Sequence, residues 1–259
     1  RIDPRRLAYT EGRALATCNA VLATHGQPPL AALHELTAAD ERFLLTWPEL
    51  DHYSPGPQGR PGARYWGVLP ARRQGGPAVW PDGDGPRLFA YLRHDYPAME
   101  AVLQQLATAP CRTLLHAVGL TAAQRQRHAN ASLGFSDGPV AMDTAVAQAD
   151  AVLCHASSGT VCTGLQAGLP QLMLPMQVEQ MIFAQRVQAC GVGEWLLADD
   201  VGARLLPTLD RVLGDAGLRQ RAQAMAERHR SVRHGDAAQR VAERCIELTR
   251  TATPHATAS

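Results

Sequence analysis

Between Cys154 and Gln180 the sequence reads CHASSGTVCTGLQAGLPQLMLPMQVEQ. An imidazole, three hydroxyls and a glycine (His155, Ser157, Ser158, Gly159 and Thr160) stand where the apolar run AVLCH stops and a segment of helical spacing, 159–168, starts. The first N–H groups of a helix have no intrahelical partner, and the helix dipole adds positive charge to them, so they suit an anion. Gly159 lets backbone come close to a ligand, the hydroxyls add donors, and His155 at the strand end can donate to a phosphate oxygen. A plainer use is open too: Ser157 or Ser158 merely caps the helix. One strand later, after PQLMLP, come Glu179 and Gln180. A carboxylate beside an amide can accept from and donate to neighbouring sugar hydroxyls. A diphosphate site next to a hydroxyl-reading site describes a nucleotide-sugar pocket.

These residues need elements to hold them. Strand-like runs at 87–92, 111–118, 131–135, 151–155, 170–175 and 193–197 alternate with helical spacing at 97–107, 121–128, 142–149, 159–168 and 179–190. Helical spacing continues to about Leu248. Such alternation with short connections predicts an α/β fold, a Rossmann-like parallel sheet with helices on both faces. Ligands then sit beyond the C-terminal strand ends, where the two candidate sets fall. Ahead of the sheet, 7–39 reads as helix with a break at Gly26-Gln27-Pro28-Pro29, and RFLLTWPELDHY opens as a short strand. The stretch 54–86 is rich in Pro and Gly and reads as a linker, with Trp47, Trp66 and Trp80 packing rather than binding.

Composition narrows the partners. Of 259 residues, 46% are hydrophobic, enough for a sizeable core, and 25 basic residues balance 24 acidic ones at a net charge of +1. That balance gives no reason to expect nucleic acid. Six cysteines lack C-x-x-C spacing, which fits free thiols in a reducing compartment better than disulfides or metal. No run approaches the ~20 apolar residues of a membrane span and no signal peptide is visible, so a cytoplasmic protein is expected. The basic cluster ERHRSVRHG (227–235) reads as a solvated helix end. The chain begins at Arg1, within helical periodicity and without a start signal, and is expected to be the C-terminal part of a longer protein.

The stretch FSDGPVAMDTAVAQADAVLCHASSGTVCTGLQAGLPQLMLPMQVEQMIFAQRVQACGVG resembles the donor-binding motif of the UDP-glycosyltransferase superfamily, whose GT-B architecture has two Rossmann-like domains. The nearest likeness is to bacterial enzymes that glycosylate macrolides, flavonoids, sterols and other small lipophilic acceptors. It extends over residues 15–248 and is strongest over 134–193. The resemblance implies that 1–53 is the helical remnant of an acceptor domain, 54–86 the linker, 87–250 the donor-binding domain and 251–259 a frayed tail. It implies diphosphate contacts from His155, Ser157, Ser158, Gly159 and Thr160, and donor-sugar contacts from Glu179 and Gln180. Val140 and Ala141 fall where the family holds the base, and Thr163 where many members carry a ribose-binding Glu. Arg93, His94 and His116 are further cleft candidates. The sequence departs from the family at Ala156-Ser157, where Gly-Gly is common.

The activity so implied is inverting transfer of a sugar from a nucleoside diphosphate, UDP- or dTDP-linked, to a hydroxyl of a small lipophilic acceptor. The nucleotide-sugar is a co-substrate, and neither cofactor nor metal is required. No catalytic base is assigned within the chain, because the family places it in the acceptor domain. A nucleotide-sugar-binding module without turnover is the alternative, and a sugar-nucleotide epimerase of the same architecture a further one.

Overall fold

The computed structural model describes residues 3–69, 75–230 and 236–251 and divides into two compact units, Arg1–Arg42 and Phe43–Ser259. The first unit holds helix α1 (Pro4–Thr24) and a 3-10 turn (Leu33–Thr37). The Asp3 side chain caps α1 by accepting the Arg5 N–H at 2.9 Å, and Pro4 takes the first helical position, where an N–H has no partner to lose. The Asn19 amide then ties the returning chain, accepting the Leu30 N–H at 2.8 Å and donating to the Leu30 carbonyl at 3.0 Å. The break expected at Gly26–Pro29 separates these two elements.

The second unit alternates strand and helix: β1 (Arg87–Arg93), α2 (Met99–Leu106), β2 (Arg112–Val118), α3 (Ala122–His128), β3 (Leu133–Phe135), α4 (Met142–Val146), β4 (Ala151–Cys154), α5 (Ser158–Gln166), β5 (Gln171–Met173), α6 (Val178–Ala189) and β6 (Gly193–Trp195). Helices α7 (Val201–Gly214), α8 (Ala216–Arg228) and α9 (Asp236–Thr251) follow. Among the described residues the strands form one six-stranded sheet in the order β3-β2-β1-β4-β5-β6, parallel throughout. This is the Rossmann-like sheet that the alternation predicts. Its strands are apolar at successive positions because both faces are covered. Phe89, Leu114, Val152 and Met173 pack into one layer with Val161, Leu165 and Phe183 of α5 and α6. Leu88, Ala90, Leu115 and Leu153 pack into the other with Val102, Leu106 and Leu205 of α2 and α7. Among the described residues no helix is long and apolar enough to cross a membrane.

Between Phe43 and β1 the described residues hold a short 3-10 turn (Pro48–Leu50) and are otherwise irregular. Trp47 and Trp66 are buried, Trp47 stacked on His229 at 4.2 Å and Trp66 under the guanidinium of Arg64 at 3.8 Å. The strand expected after Arg42 reduces to a single bridge, Leu44 to Tyr65. A buried carboxylate organises this region instead. Asp51 accepts from Arg60 Nε at 2.7 Å and Nη2 at 2.9 Å and from the Tyr65 hydroxyl at 2.8 Å. Arg186 of α6 then reaches out to the carbonyls of Asp51 and Ser54.

The basic cluster after α8 is not simply solvated. Arg228 and His229 both bond Glu49, at 2.6 and 3.1 Å. Residues 231–235 of that cluster, and the tail beyond Thr251, lie outside the described residues.

Candidate functional site

Strand β1 has β2 on one side and β4 on the other, so the crossovers leave it in opposite directions. A crevice opens at such a point, beyond the strand ends. Here it is a cleft of about 1430 Å³. Ser157, Gly159 and Thr160 at the start of α5 form one wall, and His116, Ser136 and Val140 lie on the side of β2 and β3.

The turn from β4 into α5 differs from a plain cap. Ser157 occupies the N-cap position, yet its side chain accepts no backbone N–H; its hydroxyl donates to Thr160 Oγ1 at 3.0 Å. The first-turn N–H groups of α5 therefore have no side-chain cap. A Cβ built on Gly159 would meet nothing within 4 Å, so this helix start faces open space. Ser157 and Ser158 are exposed and Thr160 is buried. Amides, hydroxyls and a helix dipole converge here on the cleft, an arrangement suited to a diphosphate. The turn needs a left-handed residue: Ala156 has φ +59°, a conformation that glycine adopts without strain. This is the position where the resembled family commonly has its first glycine.

His155 is placed otherwise than expected. It is 6% exposed, and both ring nitrogens are engaged. The Arg93 N–H donates to Nε2 at 2.9 Å, which leaves the ring proton on Nδ1, 2.7 Å from the Leu174 carbonyl. Burial lowers its pKa from the ordinary value, and the bond to Leu174 opposes that shift. The ring thus pins the ends of β1 and β4 to the residue after β5. No ring N–H is left for a phosphate in this arrangement, so its part is to hold the turn that carries the donors.

Glu179 and Gln180 open α6, beyond the next strand over, and are not part of this cleft wall. Gln180 Oε1 accepts the Met176 N–H at 2.7 Å, which closes the β5–α6 turn and leaves its amide nitrogen available. Glu179 is exposed, with His52 Nε2 3.9 Å away. Helix α5 thus begins between the β5–α6 turn on one side and the β2 and β3 loops on the other.

Of the remaining candidates, His116 lies in the cleft wall, its Nδ1 2.8 Å from Ser136 Oγ and its ring 5.2 Å from that of Tyr91. Val140 is in the wall, and the Ala141 N–H already donates to the Gly76 carbonyl at 3.0 Å. Thr163 is outside the wall and buried, its hydroxyl donating to the Gly159 carbonyl at 2.7 Å. Arg93 is neutralised by a two-pronged pair with Asp95, at 2.9 and 2.8 Å. His94 caps β2 through the Val118 carbonyl. Sequence reasoning passed over Tyr91, Arg125 and Ser136, and it left Gly75 to Val79 in the linker although Gly75, Gly76, Pro77 and Val79 line the cleft. FSDG after a predicted strand was the one available signal, since loops at strand ends face the crevice.

Residues 120–248 match the EryCIII-like family, erythromycin biosynthesis protein CIII-like, C-terminal domain. A sterol 3-beta-glucosyltransferase of Leptosphaeria maculans is 47% identical over 49 residues, 19% of this chain and 3% of that protein. The UDP-N-acetylglucosamine--N-acetylmuramyl-(pentapeptide) pyrophosphoryl-undecaprenol N-acetylglucosamine transferase of Mycobacterium avium (strain 104) is 37% identical over 116 residues, 43% of this chain and 28% of that one. The glycosyltransferase VinC, solved in complex with dTDP, shares the fold at a TM-score of 0.64 and 18% identity, over 87% of this chain and 57% of its own. The chain thus spans under a third of these curated relatives. Residues 120–248 thus carry an EryCIII-like C-terminal domain, and this match bears out the resemblance to the UDP-glycosyltransferase superfamily of GT-B architecture.

Proposed function

We propose that the chain is the donor-binding part of an inverting glycosyltransferase, which moves a sugar from a UDP- or dTDP-sugar to a hydroxyl of a small lipophilic acceptor. One observation carries this reading: the uncapped start of α5 opens, with Ser157, Gly159 and Thr160, into the cleft at the switch point of the sheet. Departure of a sugar leaves negative charge on the diphosphate, and fixed N–H dipoles stabilise charge that develops in the transition state. The nucleoside extends toward Val140 and His116. The sugar lies on the other side, by Glu179 and Gln180. VinC's dTDP and the sterol named for one relative support the choice of donor and acceptor classes.

Transfer also needs a base for the acceptor proton, within hydrogen-bond reach of it. We assign none here and place the base in an acceptor domain outside these residues. Titration calorimetry with UDP, dTDP and ADP tests donor binding, and mass spectrometry with a mixed acceptor panel tests turnover. UDP or dTDP should bind, and the 259-residue chain alone should form no glycoside. If no nucleoside diphosphate binds at millimolar concentration, the donor reading fails. Glycoside formed by the chain alone would place the base within it, with His116 the first candidate.

A further inference from the structure

We infer that Gly75 and Gly76 are positioning residues of the cleft, seating the segment 75–81 as a fixed wall at its nucleoside end; this rests on the donor-binding function proposed above. The Gly76 N–H donates to the Pro139 carbonyl at 2.8 Å, and the Gly76 carbonyl accepts the Ala141 N–H at 3.0 Å. These bonds make a parallel bridge from Gly76 to Val140. Residues 139 and 141 are thereby fixed on the two sides of Val140. In extended backbone the polar groups of Val140 turn the other way, and neither its N–H nor its carbonyl has a protein partner among the described residues.

The same segment is anchored further along. Trp80 Nε1 donates to Gln148 Oε1 at 3.0 Å, and the ring packs against the core. Pro81 lies against Gly134, where a Cβ would be 3.0 Å from the proline ring. Anchors at both ends make this a built wall, with Gly75, Gly76, Pro77 and Val79 facing the cleft.

The two glycines differ in a way that permits a controlled test. A Cβ on Gly75 would lie 2.4 Å from the Val140 carbonyl carbon, 2.5 Å from the Ala141 nitrogen and 2.7 Å from the Pro139 oxygen. All three are backbone atoms, so the segment must lift. A Cβ on Gly76 would meet only the Pro139 oxygen, at 3.9 Å, and both bonds persist.

The experiment is calorimetry of the whole chain and of Gly75→Ala and Gly76→Ala with UDP, dTDP and inorganic pyrophosphate. Amide hydrogen exchange at Gly76 and Ala141 is followed in parallel. Gly75→Ala should lose Ala141 protection and at least tenfold in nucleoside diphosphate affinity while binding pyrophosphate as before. Gly76→Ala should keep Ala141 protection at the parent's level, since its Cβ leaves the bridge intact; equal loss of protection in both variants would overturn the steric account of Gly75. Lost protection with unchanged nucleotide affinity overturns the inference, as does equal loss for pyrophosphate. Should Gly75→Ala not fold, the parent decides: nucleotide should slow exchange at both amides where pyrophosphate does not, and faster exchange at Gly76 would mean that the ligand displaces the wall. A parent that binds pyrophosphate but no nucleoside diphosphate would bring down the proposed function itself, and this inference with it.

Discussion

The Arg93 N–H points at Nε2 of His155 from 2.9 Å, across the seam between β1 and β4. This bond fixes the ring's tautomer, and the tautomer fixes the bond to Leu174. A residue of the type expected to hold phosphate is therefore a clamp on three strand ends.

Replacing His155 by Ala should cost about 2–4 kcal/mol of stability, because two backbone groups lose their partner in a buried place. Chemical denaturation measures this. Nitrogen NMR of the parent should show the proton on Nδ1 and no change of tautomer when UDP is added. A proton that moves to Nε2 on binding would restore the ring to the phosphate. Since burial depresses its pKa, the ring favours the fold while neutral; that contribution is present above the ordinary pKa near 6.5 and is lost as pH falls through the lower folded value.

Ala156→Gly should raise stability by roughly 0.5–1 kcal/mol. The left-handed conformation costs an L-residue about 1–2 kcal/mol, part of which is returned through glycine's greater freedom when unfolded. A thermal melt is sufficient to check it. Loss of stability would show that the buried methyl group outweighs the backbone strain.

Glu49 gives a pH-dependent anchor between the irregular segment and the end of α8. Burial raises its pKa, but hydrogen bonds from His229, its own backbone and Arg228 outweigh burial and hold it at about 2, against an ordinary 4.5. A lowered carboxylate pKa stabilises the fold above pH 4.5, and that contribution disappears between pH 4.5 and about 2. Glu49→Gln should lose about 1–3 kcal/mol at neutral pH and show a flatter stability profile across that window. Parallel acid denaturation curves for the two proteins would refute this.

Glu179→Ala and Gln180→Ala should weaken UDP-glucose while leaving UDP nearly unchanged, in calorimetry on the chain. They should differ in stability: Gln180→Ala frees the Met176 N–H and costs about 1 kcal/mol, whereas exposed Glu179 costs little. Equal losses for both ligands would move the pair out of the sugar site.

The order of elements was legible in the sequence because apolar runs and helical spacing report which residues face the core, and that is a local property. The helix start at Ser157–Thr160 was legible for the same reason: small polar residues at a strand end mark a crossing into a helix. What each side chain does there depends on neighbours far along the chain. His155 meets Arg93 from 62 residues away and Leu174 from 19, and no spacing rule announces either bond. Thr163 sits in α5, where its hydroxyl turns back onto that helix, to Gly159. Two glycines in a Pro-rich stretch read only as part of a linker. Only the folded chain lays Gly76 along Val140, because the wall exists once β3 and its loop are in place to receive it. Sequence by itself determined the sheet, its covering helices and the place of the helix start proposed here to hold an anion. Tertiary structure decided which polar groups stay free for a ligand, since hydrogen bonds are satisfied by proximity in space and not by proximity along the chain.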